Sequence, residues 1–335
     1  MTTHDTAGLV RPDPLLVRAE LPLRRAYHPA GFQLHLATNS QEVIDATDEC
    51  WRAYKPEFAC EPMEFRVVVS PEGELASQPS YRLTRNLMSI VSDAHNFASV
   101  DFDSQLASIY VSEKTAADHP VLRWFFVEAI AYVLMAQRYV APLHAASIAR
   151  NGIGILLCGA PGAGKSTLSF AAAGVGWAFL SDDCTWLLAG GSDVTAIGKP
   201  HQVRFRDDAT GLFPRLAGYA VGERPNGKIG IEVPMFAFPE LRIALRCRVG
   251  GMAWLDRLPG VRPAIERIGP AEALRQMLHS STYGDKVDAM HERATRRLLD
   301  LPACRLRYES LDDGLRLLSE FGATIGAGSA SAGIA

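Results

Sequence analysis

Residues Gly159–Asp183 read GAPGAGKSTLSFAAAGVGWAFLSDD, and the first eight fit G-x-x-x-x-G-K-[ST] at every defined position. IGILLC, before the loop, is patterned as a buried strand, and STLSFAAAGVG, after it, as a helix. In that setting Gly159, Ala160, Pro161, Gly162, Ala163 and Gly164 form a loop whose backbone N–H groups converge on phosphate oxygens. The helix N-terminus adds partial positive charge there. Lys165 reaches the terminal phosphates, the Ser166 hydroxyl is placed for Mg²⁺, and Thr167 extends the first turn. The pattern predicts a site for a nucleoside triphosphate with Mg²⁺, and by itself it leaves ATPase, GTPase and small-kinase chemistry open.

The same stretch closes on two carboxylates. WAFLS reads as a short strand, and alternation sends Asp182 and Asp183 to opposite faces unless the strand stops at Ser181. If it stops there, both reach the rim beside the loop. One could then serve Mg²⁺ while the other accepts a proton from an attacking hydroxyl. The competing reading is a turn, which Asp favours on its own account.

Working outward, the 335 residues suffice for two domains, and 48% hydrophobic with 21% charged residues is the balance of a globular chain. A net charge of −3 without a Lys/Arg block gives nucleic acid or an anionic membrane no electrostatic footing. Six scattered cysteines without CxxC spacing argue against disulfide or zinc frameworks and for a reducing, cytoplasmic setting. The most apolar stretch, Val121–Ala141, holds at most nine uncharged residues in a row, which predicts a core helix rather than a membrane span.

The chain then divides as follows. Residues 1–26 read as a loose leader, and 27–118 as a small α+β domain in which FRVVVS, RNLMSIVS, NFASVDFD and ASIYVS suggest an antiparallel meander. EKTAADHP is the expected linker, with Pro120 starting a connecting helix over 119–142. Residues 143–321 form the loop-bearing α/β domain, where Asn151-Gly152 marks a hairpin. The small residues of 322–335 suggest a disordered tail.

His144, Lys165 and Asp182-Asp183 together resemble the kinase domain of HPr kinase/phosphorylase, a family related to ATP-dependent phosphoenolpyruvate carboxykinase. In that family a His opens a strand 21 residues before the loop lysine, and a paired Asp-Asp ends 18 residues after it; both spacings are kept here. The resemblance covers Leu143 to Glu320 in element order and is specific over His144 to Asp183. It implies an α/β P-loop kinase domain of the HPr kinase/phosphoenolpyruvate carboxykinase type, preceded by a small α+β domain.

By that resemblance Asp183 would be the general base, Asp182 and Ser166 would lie on the metal side, and His144 would orient Asp183 or the transferred phosphoryl group. Thr167 follows the loop where the family commonly has Glu. The family's downstream metal glutamate has no clean match, and Asp207 or Asp208 stands at about its distance. NGKIGIEVP echoes a basic loop of the family, with Lys228 as its cation and Arg224 nearby. The first 110 residues do not resemble the family's own N-terminal domain, so HPr itself is not implied as substrate. The reading is an ATP- and Mg²⁺-dependent kinase acting on a hydroxyl, foremost serine of a protein or peptide, with no nucleic-acid or membrane partner and room for a homo-oligomer. Two alternatives stay open: a small-molecule kinase of the same fold, and a non-catalytic ATP-binding regulatory module.

Overall fold

Apolar residues three and four apart in QEVIDATDECW wind α1 (Gln41–Trp51) between two strands, and the computed structural model builds the first unit around that βαβ step. It describes residues 18–225, 227–277 and 285–331. The chain separates into two compact units, Met1–Ala131 and Tyr132–Ala335, both of mixed α/β structure.

The first unit is a seven-stranded sheet of β1 (Leu23–Tyr27), β2 (Leu34–Thr38), β3 (Met63–Ser70), β4 (Ser80–Thr84), β5 (Leu87–Val91), β6 (Phe97–Asp101) and β7 (Leu106–Ser112), in the order β1-β2-β3-β7-β6-β5-β4. β4 to β7 run as an antiparallel meander, but β3 is parallel to both β2 and β7. The expected all-antiparallel pairing of FRVVVS is corrected here: α1 carries the chain back over the sheet, so β3 must re-enter parallel to β2. Val43, Ile44, Ala46, Cys50 and Trp51 of α1 are buried.

Two boundaries also differ from expectation. The leader ends early, because β1 pairs with β2 from Leu23; residues 1–17 lie outside the described residues. The expected linker is helical: α2 (Glu113–Ala117) is capped by the Ser112 hydroxyl, which accepts from the Thr115 N–H. Asp118 then caps the next helix by accepting from the Val121 N–H, with Pro120 in its first turn. That helix, α3 (His119–Arg138), is long and apolar enough by length and composition to cross a membrane. Its Leu122, Phe126, Val127, Ile130, Leu134 and Met135 are nevertheless fully buried, as a core helix requires.

The second unit centres on a nine-stranded sheet. β8 (Val140–Leu143) is followed by the hairpin of β9 (Ala146–Arg150) and β10 (Ile153–Cys158), whose turn residues Asn151 and Gly152 take φ of 54° and 78°. After α4 (Lys165–Gly174) come β11 (Ala178–Ser181), β12 (Thr185–Leu188) and β13 (Thr195–Ile197). β14 (Gln202–Phe205), β15 (Gly222–Glu223) and β16 (Ile229–Pro234) leave this sheet to form a small one of their own. β17 (Arg246–Arg257) is the central strand, parallel to β10 on one side and to β19 (Ala303–Tyr308) on the other, with β18 (Ala264–Arg267) beyond. α5 (Pro270–Met277), α6 (Asp285–Arg296) and α7 (Leu311–Ser331) complete the unit.

α7 overturns the expected disordered tail over 322–331. Ile325 is 6% exposed, and a Cβ on Gly322 would come within 2.7 Å of the Trp177 ring, so the small residue at 322 serves close packing. Residues 332–335 lie outside the described residues.

α4 has two faces in contact with two different cores. Leu168 and Ala172, one turn apart, join Trp177, Leu306, Leu317 and Phe321 on the main sheet. Phe170, Ala171 and Ala173 join Val203, Phe205, Ile231 and Val233 of the small sheet. The helix N-terminus, and the loop that leads into it, are thereby held from both sides.

Candidate active site

The loop begins where β10 ends. Gly162 and Gly164 take φ of 90° and 94°, a backbone region open to glycine, and Gly164 sits at the N-cap of α4 without any side-chain cap. The helix makes no internal use of the N–H groups of its first turn, at Lys165, Ser166 and Thr167. Lys165 is 6% exposed, and its ammonium donates to the carbonyls of Gly159 (2.9 Å) and Ala160 (3.4 Å). Burial pushes its pKa below the ordinary lysine value, opposed first by Asp183 and then by Cys158 and Asp182.

β11 does stop at Ser181, whose hydroxyl donates to the Cys184 carbonyl and closes a turn around the two acids. SDD is therefore a turn, and both carboxylates also line the cleft beside the loop. The two differ sharply. Asp182 is buried, and its Oδ2 accepts from the Arg204 N–H at 2.8 Å. Burial raises its pKa to about 6 and the charge of Asp183 adds to that, while the Arg204 charge and N–H oppose it. Asp183 is exposed, with Oδ1 3.3 Å from His144 Nδ1.

The meeting of His144 and Asp183 follows from strand register. β12 pairs antiparallel with β8, Thr185 opposite Leu143, so the next residues outward bring His144 beside the Asp183-Cys184 turn. Below them the Thr185 hydroxyl donates to the Ala145 carbonyl at 2.9 Å and is bonded to the Ser147 hydroxyl, both buried, which fixes the junction.

The opposite side of the cleft comes from the small sheet. Asp207 and Asp208 start a 3-10 turn, exposed and facing the cleft. Arg224 and Lys228 flank the β15–β16 hairpin, tied by the Arg224 N–H to the Lys228 carbonyl at 3.0 Å. The whole cleft encloses about 720 Å³ and gathers Pro161, Gly162, Gly164, Lys165, Ser166, Thr167, His144, Asp182, Asp183, Asp208 and Lys228. Gly159, Ala160 and Ala163 belong to the same loop without lining the cleft.

Three lining cations escaped the sequence reading: Arg204, Arg206 and Arg257. The alternation in VRFRDD carries a signal for two of them, since Val203 and Phe205 point one way and the arginines the other. Arg257 ends β17 and gives no such signal.

Among the described residues no group of three or more His, Cys, Asp or Glu side chains is gathered for a metal. Mg²⁺ asks for less, because it keeps waters and takes one or two carboxylates together with substrate phosphates. The oxygen donors of Ser166, Asp182 and Asp208 in one cleft meet that demand. A cation there would also favour the ionised form that burial disfavours at Asp182. For a triphosphate, the positive-φ glycines, the first-turn amides of α4 and the lining cations form a matching cradle.

No family model and no curated protein matches the chain. Among solved structures it is similar to one titled "Structure of the Hpr(Ser) kinase/phosphatase from Coxiella burnetii", with 13% identity over 57% of this chain and 98% of that one, at a TM-score of 0.30.

Proposed function

We propose that the second unit is an α/β P-loop kinase domain of the HPr kinase type that uses ATP and Mg²⁺ to phosphorylate a hydroxyl, foremost serine of a protein or peptide. The observation that supports this best is the His144–Asp183 contact, 3.3 Å long, at the rim of the cleft that holds Lys165 and the glycine loop. An exposed carboxylate beside a buried lysine and a ring of backbone N–H groups is the arrangement phosphoryl transfer needs: a proton acceptor next to a phosphate cradle.

In this reading Asp183 takes the proton of the acceptor hydroxyl, and His144 orients the carboxylate. Asp183 is accessible, which a base serving an outside acceptor must be. Lys165 and, from the facing hairpin, Lys228 bind phosphate oxygens and stabilise the charge that develops on them. Mg²⁺, held by Ser166 and Asp182 with Asp208 as a further oxygen donor, would neutralise the phosphates. Asp182 is already committed on one oxygen to the Arg204 N–H, so it suits a fixed ligand better than a mobile base.

The test is in two parts. Calorimetric titration of the full chain with Mg·ATP should show binding that Lys165→Ala weakens roughly 10- to 100-fold, the range of a charge-assisted hydrogen bond. Incubation with ATP labelled at the γ-phosphate and an extract of its own cells should then place label on serine. Equal affinity in the two proteins removes the phosphate site. Binding without label on any acceptor, and without added turnover, leaves a nucleotide-binding module in place of a kinase.

A further inference from the structure

β14 has one face committed to a core and the other turned to the cleft. Val203 is fully buried and Phe205 is 4% exposed; the Phe205 ring meets Phe170 of α4 edge-on at 5.1 Å. Alternation therefore turns Arg204 and Arg206 toward the cleft, and both line it. Their circumstances differ. Arg204 is neutralised, its Nε 2.7 Å from Glu232 Oε2, and its N–H is bound by Asp182.

Arg206 has no such partner: among the described residues its guanidinium makes no hydrogen bond or ion pair. It lies instead against the loop, where a Cβ on Gly162 would stand 2.8 Å from one of its terminal nitrogens. Gly162 thus leaves room for this guanidinium as well as adopting positive φ. An unneutralised arginine on a loop of converging N–H groups is surplus positive charge at the point where phosphates belong. Its planar fork can take two phosphate oxygens at once. Its backbone is already held by Phe205 on one side and buried Ala209 on the other, so binding has only the side chain left to order.

We infer that Arg206 is a further cation of the phosphate site beside Lys165 and Lys228, reaching across the cleft to grip the β- and γ-phosphates opposite Lys165. This rests on the nucleotide reading above and adds to it a residue outside the loop motif and its downstream acids. Gly162 and Arg206 then form one device, a loop residue without a side chain and the guanidinium that occupies the space.

The experiment titrates wild type, Arg206→Gln and Arg206→Lys with Mg·ATP, AMP and Mg·tripolyphosphate by calorimetry, with thermal melts as a check on folding. Arg206→Gln should weaken Mg·ATP and tripolyphosphate roughly 10- to 100-fold and leave AMP unchanged, with Arg206→Lys between it and wild type. Unchanged binding of Mg·ATP by Arg206→Gln overturns the inference, as does an equal loss for AMP, the mark of a merely structural role. A wild-type chain that binds tripolyphosphate but no nucleotide overturns the kinase reading, and Arg206 is then judged on tripolyphosphate alone. A wild-type chain that binds neither overturns both.

Discussion

The wall of the cleft that carries the loop is local in sequence, whereas the facing wall is assembled from distant pieces. Loop, α4, β11 and the SDD turn run without a break from Gly159 to Asp183, joined by His144 through strand register. The facing wall takes Arg204 to Asp208 from β14 and its 3-10 turn, and Arg224 and Lys228 from a hairpin; Arg257 comes from the end of the central strand. The first wall draws its chemistry from backbone N–H groups and one buried lysine, and it also holds the acids next to the loop. The second presents side-chain cations on a small sheet that packs on α4, with Phe179 of β11 and Leu311 and Leu315 of α7 against the same core. In the proposed reading the backbone loop would fix where phosphates sit, and the side-chain wall would adjust how tightly they are held.

If the acids of the first wall divide their labour, Asp183→Asn should show the largest effect. Transfer to a true acceptor should fall by about 10²–10⁴-fold with Mg·ATP affinity retained, the range for loss of a general base and equal to about 3–5.5 kcal/mol of barrier. Steady-state kinetics beside calorimetry measure this, and a variant that transfers normally moves the base elsewhere in the cleft.

The bond between the walls is sharpened by Phe205→Ala. Phe170, Phe205, Phe213 and Phe238 form one aromatic cluster with centroids 5.1–5.7 Å apart in the pairs that touch. Truncating a buried Phe should cost about 3–5 kcal/mol of stability, read from denaturant melts. A loss below about 1 kcal/mol would mean that the second wall stands without this anchor.

The smallest effect is one of pH. The Asp182 pKa is raised in the folded chain to about 6, from 3.8 when unperturbed. Between those values the folded state holds more protons than the unfolded one, so stability falls as pH rises through the window. The slope from this group is at most about 1.4 kcal/mol per pH unit. Asp182→Asn should remove that part of the slope between pH 4 and 6. Melts of both proteins at half-unit steps check it, and parallel curves would mean that Asp182 titrates as an ordinary carboxyl.

The unequal legibility of the two walls follows from how each is made. The helix, short strand and turn of Gly159 to Asp183 and the Asn151-Gly152 hairpin are legible because each depends on particular residues at fixed short spacing. Arg204 and Arg206 announce nothing at short range; they matter only because Phe205 packs on Phe170, 35 positions earlier in the chain. Glu113–Pro120 looked like a linker for its polar residues, although Ser112 and Asp118 were both able to cap helices and do so. The small residues from Gly322 onward suggest disorder, yet the missing side chain of Gly322 is what lets the helix lie on Trp177. In each case a specific contact, the local caps at Ser112 and Asp118 or the distant approach of Gly322 to Trp177, decides what composition alone does not.

α4 is a party wall between two cores, with Leu168 and Ala172 on one side and Phe170, Ala171 and Ala173 on the other. Neither core can release this helix without exposing apolar surface of the other. Local opening proceeds in cooperative units, and the shared helix should join the small sheet and the loop at its head into one such unit, so that amide exchange at either wall of the cleft is expected to report on both.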